Sequence, residues 1–527
     1  MTGKAAYYLT TPIYYVNDSP HIGHAYTSLA CDVLARFMRL DGHEVFFLTG
    51  TDEHGQKVEK SAAAAGRPPK EFVDEVSERF RALTKLMNFS NDDFIRTTEE
   101  RHIRSCQELW RRIAANKSPK GRDNIYLDTY GGWYSVRDEA FYGEAELVKG
   151  ADGEKLAPSG APVEWVEEPS YFFRLEDWRE RLLEYYALRD GTVVAPESRR
   201  NEVESFVKGE LFDLSISRTS FSWGIPVPGD DAHIMYVWLD ALTNYITATG
   251  FPDEDSARYK TFWPASLHMV GKDILRFHTV YWPAFLMAAG LEPPERVFAH
   301  GWWTNEGEKI SKSLGNVIDP ADIVAQFGLD QVRYFLLREV PFGNDGDFSR
   351  RAMVGRINSE LANDFGNLAQ RVLSMMHKNC DAQMPQPGAL RDADKVLLSS
   401  AEKLIDTVRV EIGENQAFHE ALTQIWAVVR QANGYIAEQE PWVLRKTDPE
   451  RMATVLYVAA ECIRHLATIC QPFMPDSCAT MLDQLGAPQE GRDFTSLGSN
   501  GALVPGTGLP KPEPVFPRFV EDAPADG

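Results

Sequence analysis

Paired cysteines are missing from this chain. Its six, Cys31, Cys106, Cys380, Cys462, Cys470 and Cys478, form no CxxC, and none lies between 107 and 379. That spacing supports neither a disulfide framework nor a thiolate zinc site, so the reading is reduced, packed thiols in a cytoplasmic protein. Positive charge is also scarce, with 55 Lys and Arg against 77 Asp and Glu, a net −22. Such a balance argues against a general nucleic-acid coat, although a local strip of Arg or Lys would still bind phosphate. No run of about 18 apolar residues occurs, so no membrane span is expected. The opening MTGKAAYYLTTPIYY lacks the order of a secretory signal. What is present is ordinary globular material: 527 residues, 43% apolar and 25% charged, enough for several cores.

YYLTTPIYY (Tyr7 to Tyr15) reads as a strand closed by the turn-prone Asn17-Asp18-Ser19-Pro20. From His21 the apolar residues Ile22, Tyr26, Leu29, Val33, Phe37 and Leu40 recur at spacings of three and four, a helix stopped by Gly42. His43 to Gly55 is a buried strand with a polar loop at its carboxyl end, and a second helix runs from about Pro69 to Met87. Strand, helix, strand, helix is the order of a parallel α/β sheet, expected over 1–117. Glycine, proline and short aromatic runs over 118–222 read as an insertion, after which the α/β pattern resumes over 223–298. A junction over 299–348 carries a Gly/Lys/Ser loop. Long amphipathic helices fill 349–487, a helical bundle, and 488–527 reads as a partly ordered tail rich in Gly, Pro and Asp.

Two short motifs carry chemistry. His21-Ile22-Gly23-His24 stands where a strand gives way to a helix N-terminus, whose N–H groups and dipole suit phosphate. Two imidazoles one turn apart can donate to phosphate oxygens, and Gly23 permits close approach of a base or ribose. Alone, the motif reads equally as a structural HxxH or a partial metal site. Lys309-Ile310-Ser311-Lys312-Ser313, flanked by Gly307 and Gly315, offers two ammonium groups and two hydroxyls to a triphosphate. Alone, it is an ordinary solvated basic loop.

Together and in this order they resemble the HIGH and KMSKS signatures of class I aminoacyl-tRNA synthetases, with Ile310 standing where the signature has Met. TPIYYVNDSPHIGHAYT, TGTDEHGQK, YVWLDALTNYI, HMVGKDILRFHTVYWPAF and EQEPWVL extend the resemblance to the methionyl-tRNA synthetase family, in the form without zinc-knuckle cysteines. The resemblance implies a Rossmann-like catalytic domain split by the insertion and followed by an α-helical anticodon-binding domain. It implies ATP-dependent activation of methionine to methionyl-adenylate, with release of pyrophosphate and transfer to the 3′ end of tRNA(Met), initiator included. Leucine, isoleucine and valine synthetases share the signatures but carry a larger editing insertion. A small HxGH nucleotidyltransferase would need no helical domain.

The resemblance also implies residue roles. His21, His24 and Lys312, helped by Lys309, are expected at the transition state; Gly23, Gly271, Asp273, Ile274 and Ser311 complete the ATP site. Asp52 is expected to take the α-ammonium, within a pocket of Ile13, Tyr15, Trp238, Leu242, Tyr245, His278 and Tyr281. Tyr245 and His278 are expected to bring hydrogen-bond donors to the sulfur; read from spacing alone, the same residues are aromatic core. Asn367 and Arg371, four apart on one helical face, and Trp442 are expected to read the anticodon. Without the resemblance these are a solvated face and a packed Trp. Mg²⁺ should accompany ATP; no structural zinc, no other metal and no membrane are expected, and a monomer is. Local basic strips around Arg350, Arg351, Arg356 and Arg371 are expected to meet tRNA.

Overall fold

The computed structural model describes residues 4–520 apart from 17–18, 139, 151–152, 210, 306–307 and 310–317, with backbone alone at 130, 140, 141, 145, 305, 308 and 309. The chain divides into two compact units, each assembled from separated segments. One holds Ala6–Pro20 and Phe46–His300; the other holds Met1–Ala5, His21–Val45 and Gly301–Gly527.

The first unit is built on a seven-stranded sheet in the order Val194–Ala195, Val297–His300, Leu267–Gly271, Ala6–Thr10, Glu44–Asp52, Tyr14–Tyr15, with Asp93–Arg96 also pairing Glu44–Asp52. The pairs are parallel, with Leu9 opposite Leu267, Met269 opposite Phe298, and Thr51 opposite both Tyr14 and Arg96. Parallel strands covered on both faces need unbroken apolar runs. Leu267–Gly271 is accordingly buried at every position, and Glu44–Asp52 from Phe46 onward. The single strand expected over Tyr7 to Tyr15 is two, Ala6–Thr10 and Tyr14–Tyr15. Pro12 has no N–H for the ladder, so pairing stops there and resumes beside Asp52. A core of Tyr8, Leu48, Trp110, Phe173, Trp238, Tyr245 and Trp282 fills this unit.

The insertion is a long antiparallel pair, Ile125–Ser135 with Glu164–Phe173, in register from Ile125 opposite Phe173 to Tyr134 opposite Glu164. It is cross-linked by hydrogen bonds: the Asp138 carboxylate accepts from the Tyr142 and Ser135 hydroxyls, each at 3.1 Å, and from Ser159.

In the second unit the helix Ile22–Leu40 ends in a left-handed Gly42 at φ 88°, where the His43 N–H reaches back to the Met38 carbonyl at 2.9 Å. The bundle comprises Asn367–Asn379, Asp392–Val408, Phe418–Gln439, Pro441–Thr447, Pro449–Cys470 and Pro475–Gln484. Ahead of Asn367–Asn379 the chain is π-wound over Ile357–Gly366. Pro449–Cys470 is long and apolar enough to cross a membrane by length and composition, but neighbouring helices bury it. Its polar groups are paired, Arg451 with Asp394 and Arg464 with Glu461. The expected tail is held down as far as Phe519, whose N–H and carbonyl both bond the Asn358 amide. Phe494, Leu503, Leu509 and Phe516 are buried, and the Arg464 guanidinium donates to the Ser496 and Gly498 carbonyls at 2.9 and 3.0 Å. A buried arginine needs acceptors, and this polar, glycine-rich segment supplies them as backbone.

Candidate functional site

The HIGH-like motif opens the Ile22–Leu40 helix with an unusual cap. His21 is the N-cap, and its Nδ1 accepts the Gly23 N–H at 3.0 Å; the His24 Nδ1 accepts the His21 N–H at 3.1 Å. This is a capping box made of two imidazoles. Because each Nδ1 accepts, each ring carries its proton on Nε2 and presents it as a donor. Burial, and then the neighbouring His21, hold the His24 pKa well below the usual histidine range. The rings lie 3.9 Å apart at their centroids. Gly23 has a role the sequence did not disclose: a Cβ there would stand 2.9 Å from the His21 Cε1, so the ring itself occupies the space.

Ile310, Ser311, Lys312 and Ser313 lie outside the described residues, and of Lys309 only the backbone is described, paired with Thr304.

Asp52 ends its strand buried, opposite Tyr15. The residue after it is held more elaborately than any motif suggested. The buried Glu53 carboxylate accepts both Arg96 donors, at 2.6 and 3.0 Å, with the Thr51 hydroxyl at 2.8 Å and the Thr98 hydroxyl at 2.5 Å. Its N–H meets the Thr97 hydroxyl at 2.9 Å, and its carbonyl accepts the Trp223 indole N–H at 2.6 Å. With the peptide groups on both sides of Glu53 held, the backbone that follows Asp52 has little freedom.

The expected pocket residues do assemble. Trp238, Leu242 and Tyr245 belong to the core cluster, and Ile13, Tyr15 and Tyr281 pack against it. Tyr15 meets Trp238 edge-on at 6.3 Å, and Trp238 stacks on Phe277 at 3.6 Å, a residue that sequence reasoning passed over although it adjoins His278. Tyr245 and His278 are bonded to each other. The His278 Nδ1 lies 2.9 Å from the Ile274 carbonyl, which can only accept, so the proton is on Nδ1. Nε2 is then a lone pair, and the Tyr245 hydroxyl donates to it at 2.7 Å. Both protons are committed within the wall. Burial lowers the His278 pKa to about 4 despite the Ile274 carbonyl and Asp273, which act to raise it. His268 lies against Tyr245 at 4.1 Å and is held well below the usual range by burial and then by His278. The Trp238 Nε1 and His268 Nε2 are buried without hydrogen-bond partners. At the end of Leu267–Gly271, a Cβ on Gly271 would meet the Asp273 Oδ1 at 2.5 Å, so glycine lets that carboxylate fold back over the turn that includes Ile274.

A buried polar chain was also missed. The Asp240 carboxylate sits 2.7 Å from both the His54 Nδ1 and the His102 Nε2, and the Cys106 Sγ lies 3.2 Å from the same His102 nitrogen. Burial opposes the charge on Asp240, but His54 and His102 outweigh it and hold its pKa at about 2. His102, Cys106 and Asp240 also form the metal-capable cluster among the described residues. At hydrogen-bond distances the arrangement reads as imidazoles serving a carboxylate. The four residues are scattered over nearly 190 positions, so no local spacing signals them.

In the bundle, Arg371, Ile436, Leu456 and Trp442 line a cavity of about 260 Å³. The Arg371 Nη2 donates to the Asn433 Oδ1 at 2.7 Å, and Trp442 is 43% exposed. Asn367 opens the same helix, exposed, one turn before Arg371, but does not line the cavity. Arg356 is withdrawn from the expected basic strip by Glu339 and Glu360, each at 2.8 Å, and Arg350 lies over the Phe327 and Phe519 rings.

A family model of class I tRNA synthetases (M) matches residues 7–373, and one of the anticodon binding domain of methionyl tRNA ligase matches 384–526. The sheet and its dihistidine helix are therefore those of a class I aminoacyl-tRNA synthetase. The methionine–tRNA ligase of Mesorhizobium japonicum is 56% identical over 518 residues, covering 98% of each chain, and that of Rickettsia bellii is 54% identical over 520 residues, covering 98% of this chain and 99% of the relative. The structure of Mycobacterium tuberculosis methionyl-tRNA synthetase in complex with methionyl-adenylate matches with a TM-score of 0.93 at 52% identity, covering 98% of this chain and 100% of that one. The chain belongs to the methionine–tRNA ligases.

Proposed function

We propose that the chain joins methionine to tRNA(Met), initiator tRNA included, by way of methionyl-adenylate, the ligand of its structural relative. The methionine carboxylate attacks the α-phosphorus of ATP, the bond to the bridging oxygen breaks, and pyrophosphate leaves. The 3′-terminal ribose of tRNA then attacks the activated carbonyl and AMP leaves. No side-chain nucleophile is needed, so catalysis is positioning plus stabilisation of charge. The observation that supports the assignment of His21 and His24 is their shared cap, in which each Nδ1 accepts and each proton is left on Nε2, the donor we assign to phosphate oxygen. Lys309 and Lys312 neutralise the leaving pyrophosphate, with Ser311 beside them. ATP enters as its Mg²⁺ complex, the ion carried on phosphate oxygens and water.

Asp52 takes the α-ammonium. Gly271, Asp273 and Ile274 take the nucleoside, Asp273 accepting from a ribose hydroxyl. The thioether lies against Ile13, Tyr15, Trp238, Leu242, Tyr245, His278 and Tyr281, with the Trp238 indole N–H as the donor left for sulfur. Arg371 and Trp442 hold anticodon bases in their cavity, with Asn367 one turn away. We assign a catalytic domain over 1–117 and 223–298, the insertion over 118–222, the junction over 299–348, the anticodon domain over 349–487 and a C-terminal segment over 488–527, in a cytoplasmic monomer. A panel of twenty amino acids in ATP–pyrophosphate exchange tests both reaction and substrate. Exchange driven best by another amino acid would sink the proposal.

A further inference from the structure

We propose that Arg333 and Arg409 are positioning residues for the reaction, anchoring the Ile22–Leu40 helix to the anticodon bundle and so fixing where His21 and His24 present their Nε2–H groups. The inference rests on the phosphate-contacting role given to those imidazoles above. All of the groups involved lie in one compact unit.

Arg333 is fully buried. Its Nη2 donates to the Asp32 Oδ2 at 2.7 Å and to the Pro472 carbonyl at 2.8 Å, and its Nε donates to the Phe473 carbonyl at 2.9 Å. One rigid guanidinium thus ties three elements: its own helix Leu329–Arg338, the middle of Ile22–Leu40, and the turn that ends Pro449–Cys470. A lysine, with a single nitrogen on a flexible stem, cannot span those acceptors. At the far end of the catalytic helix the C-cap Asp41 receives the Arg409 Nη2 at 2.7 Å and Nε at 3.0 Å. At its near end the Ile22 N–H donates to the Ile318 carbonyl at 3.2 Å, and Tyr26 packs edge-on against Trp303 at 5.6 Å.

A buried ion pair is a poor way to gain stability, because an apolar pair of similar volume does as well or better. What it does supply is direction. Asp32 lies eleven residues from His21, about 16 Å along a stiff helix. A tilt of about 4° at that anchor moves the imidazoles by about 1 Å, and displacements of that size cost up to about a hundredfold in rate.

The test uses the full chain and methionine-dependent ATP–pyrophosphate exchange, with turnover expressed per site titrated by the adenylate burst and thermal melting followed in parallel. Arg333→Lys should lower kcat at least tenfold per titrated site with KM for methionine unchanged. The paired replacement Asp32→Leu/Arg333→Met removes both charges but leaves the Pro472 and Phe473 carbonyls without their donor, so it should melt below the wild type and, where folded, still lose kcat. Arg409 is 42% exposed, so Arg409→Gln folds and decides the matter alone if the buried variants do not; a severalfold fall in kcat is expected. Wild-type turnover per titrated site in the folded variants overturns the proposal, as does a loss explained wholly by fewer active sites. A wild-type enzyme without methionine-dependent exchange overturns the reading beneath it as well.

Discussion

Adding one methyl group at Gly23 should separate stability from catalysis. The Cβ of Gly23→Ala would stand 2.9 Å from the His21 Cε1 and 3.1 Å from its Nδ1. Ordinary contact begins near about 3.4 Å, so the ring must retreat by about 0.5 Å. The atoms in the way belong to a side chain that can swing, so the fold has no need to move. The retreat strains or breaks the bond from the Gly23 N–H to Nδ1, worth about 0.5–1.5 kcal/mol. Replacing a helical glycine returns up to about 1 kcal/mol, so the melting midpoint should stay within a few degrees of the wild type. Catalysis has no such offset. A displaced donor forfeits stabilisation worth about 3–4 kcal/mol when lost outright, and a shift of this size should slow exchange about 10- to 100-fold. Pyrophosphate exchange at saturating ATP and methionine, set beside a thermal melt, is the assay. A stable Gly23→Ala enzyme with wild-type kcat would refute the cap as the source of the donor geometry.

Three further outcomes are expected. Asp240 titrates near 2 in the fold against about 3.9 unfolded, so its stabilising contribution, about 2–3 kcal/mol, is present above about pH 4 and drains away as pH falls towards 2. The gap in denaturation midpoint between wild type and Asp240→Asn should therefore be open at pH 6 and close on acidification; a gap independent of pH contradicts this. Tyr245→Phe leaves the buried His278 Nε2 without its donor, a loss of about 1–3 kcal/mol in stability, and loosens a pocket that must separate apolar neighbours with only about 1–3 kcal/mol to spare; an unchanged methionine-to-leucine exchange ratio counts against that wall. Trp442→Ala should lower kcat/KM for tRNA by roughly 5- to 150-fold, the value of about 1–3 kcal/mol of stacking, while exchange without tRNA stays as in the wild type. Equal charging by both enzymes removes Trp442 from the anticodon site.

Local patterns carried much of this. The helix opening at His21 and stopping at Gly42, the strand through Asp52 and the run of helices after 349 all follow from local periodicity and punctuation. What stayed hidden depends on partners far along the chain. Glu53 looks like an ordinary loop carboxylate until Arg96 and Thr98 arrive from more than forty positions away. Asp240 sits in an apolar run beside Trp238, with nothing in that run to predict His54 and His102. The segment after Pro488 reads as a partly ordered tail, yet it packs, burying Phe494, Leu503, Leu509 and Phe516 and supplying Arg464 with carbonyl acceptors. Composition measures how much a segment buries by itself, not what a buried charge elsewhere requires of it.

The histidines show the same limit in its sharpest chemical form. His24 and His278 are both kept neutral, mainly by burial, so neither acts through charge near pH 7. What each ring offers is decided by the backbone group at its Nδ1. At the helix cap that group is an N–H, the nitrogen must accept, and Nε2 is left as a donor. At His278 it is a carbonyl, the nitrogen must donate, and Nε2 is left as an acceptor that takes the Tyr245 proton. One residue type thus supplies opposite polarities, and the choice is made by main-chain geometry rather than by any neighbouring side chain. It follows that a side chain able to supply either polarity should replace both rings in part. Glutamine can place its amide nitrogen near the Nε2 position as a donor at His24, and can turn its amide over at His278 to present the oxygen as acceptor to the Tyr245 hydroxyl. His24→Gln should therefore retain more exchange activity than His24→Ala, and His278→Gln more methionine selectivity than His278→Ala. Equal losses in the Gln and Ala variants at either position would mean that the hydrogen bond at Nε2 is not what that ring contributes.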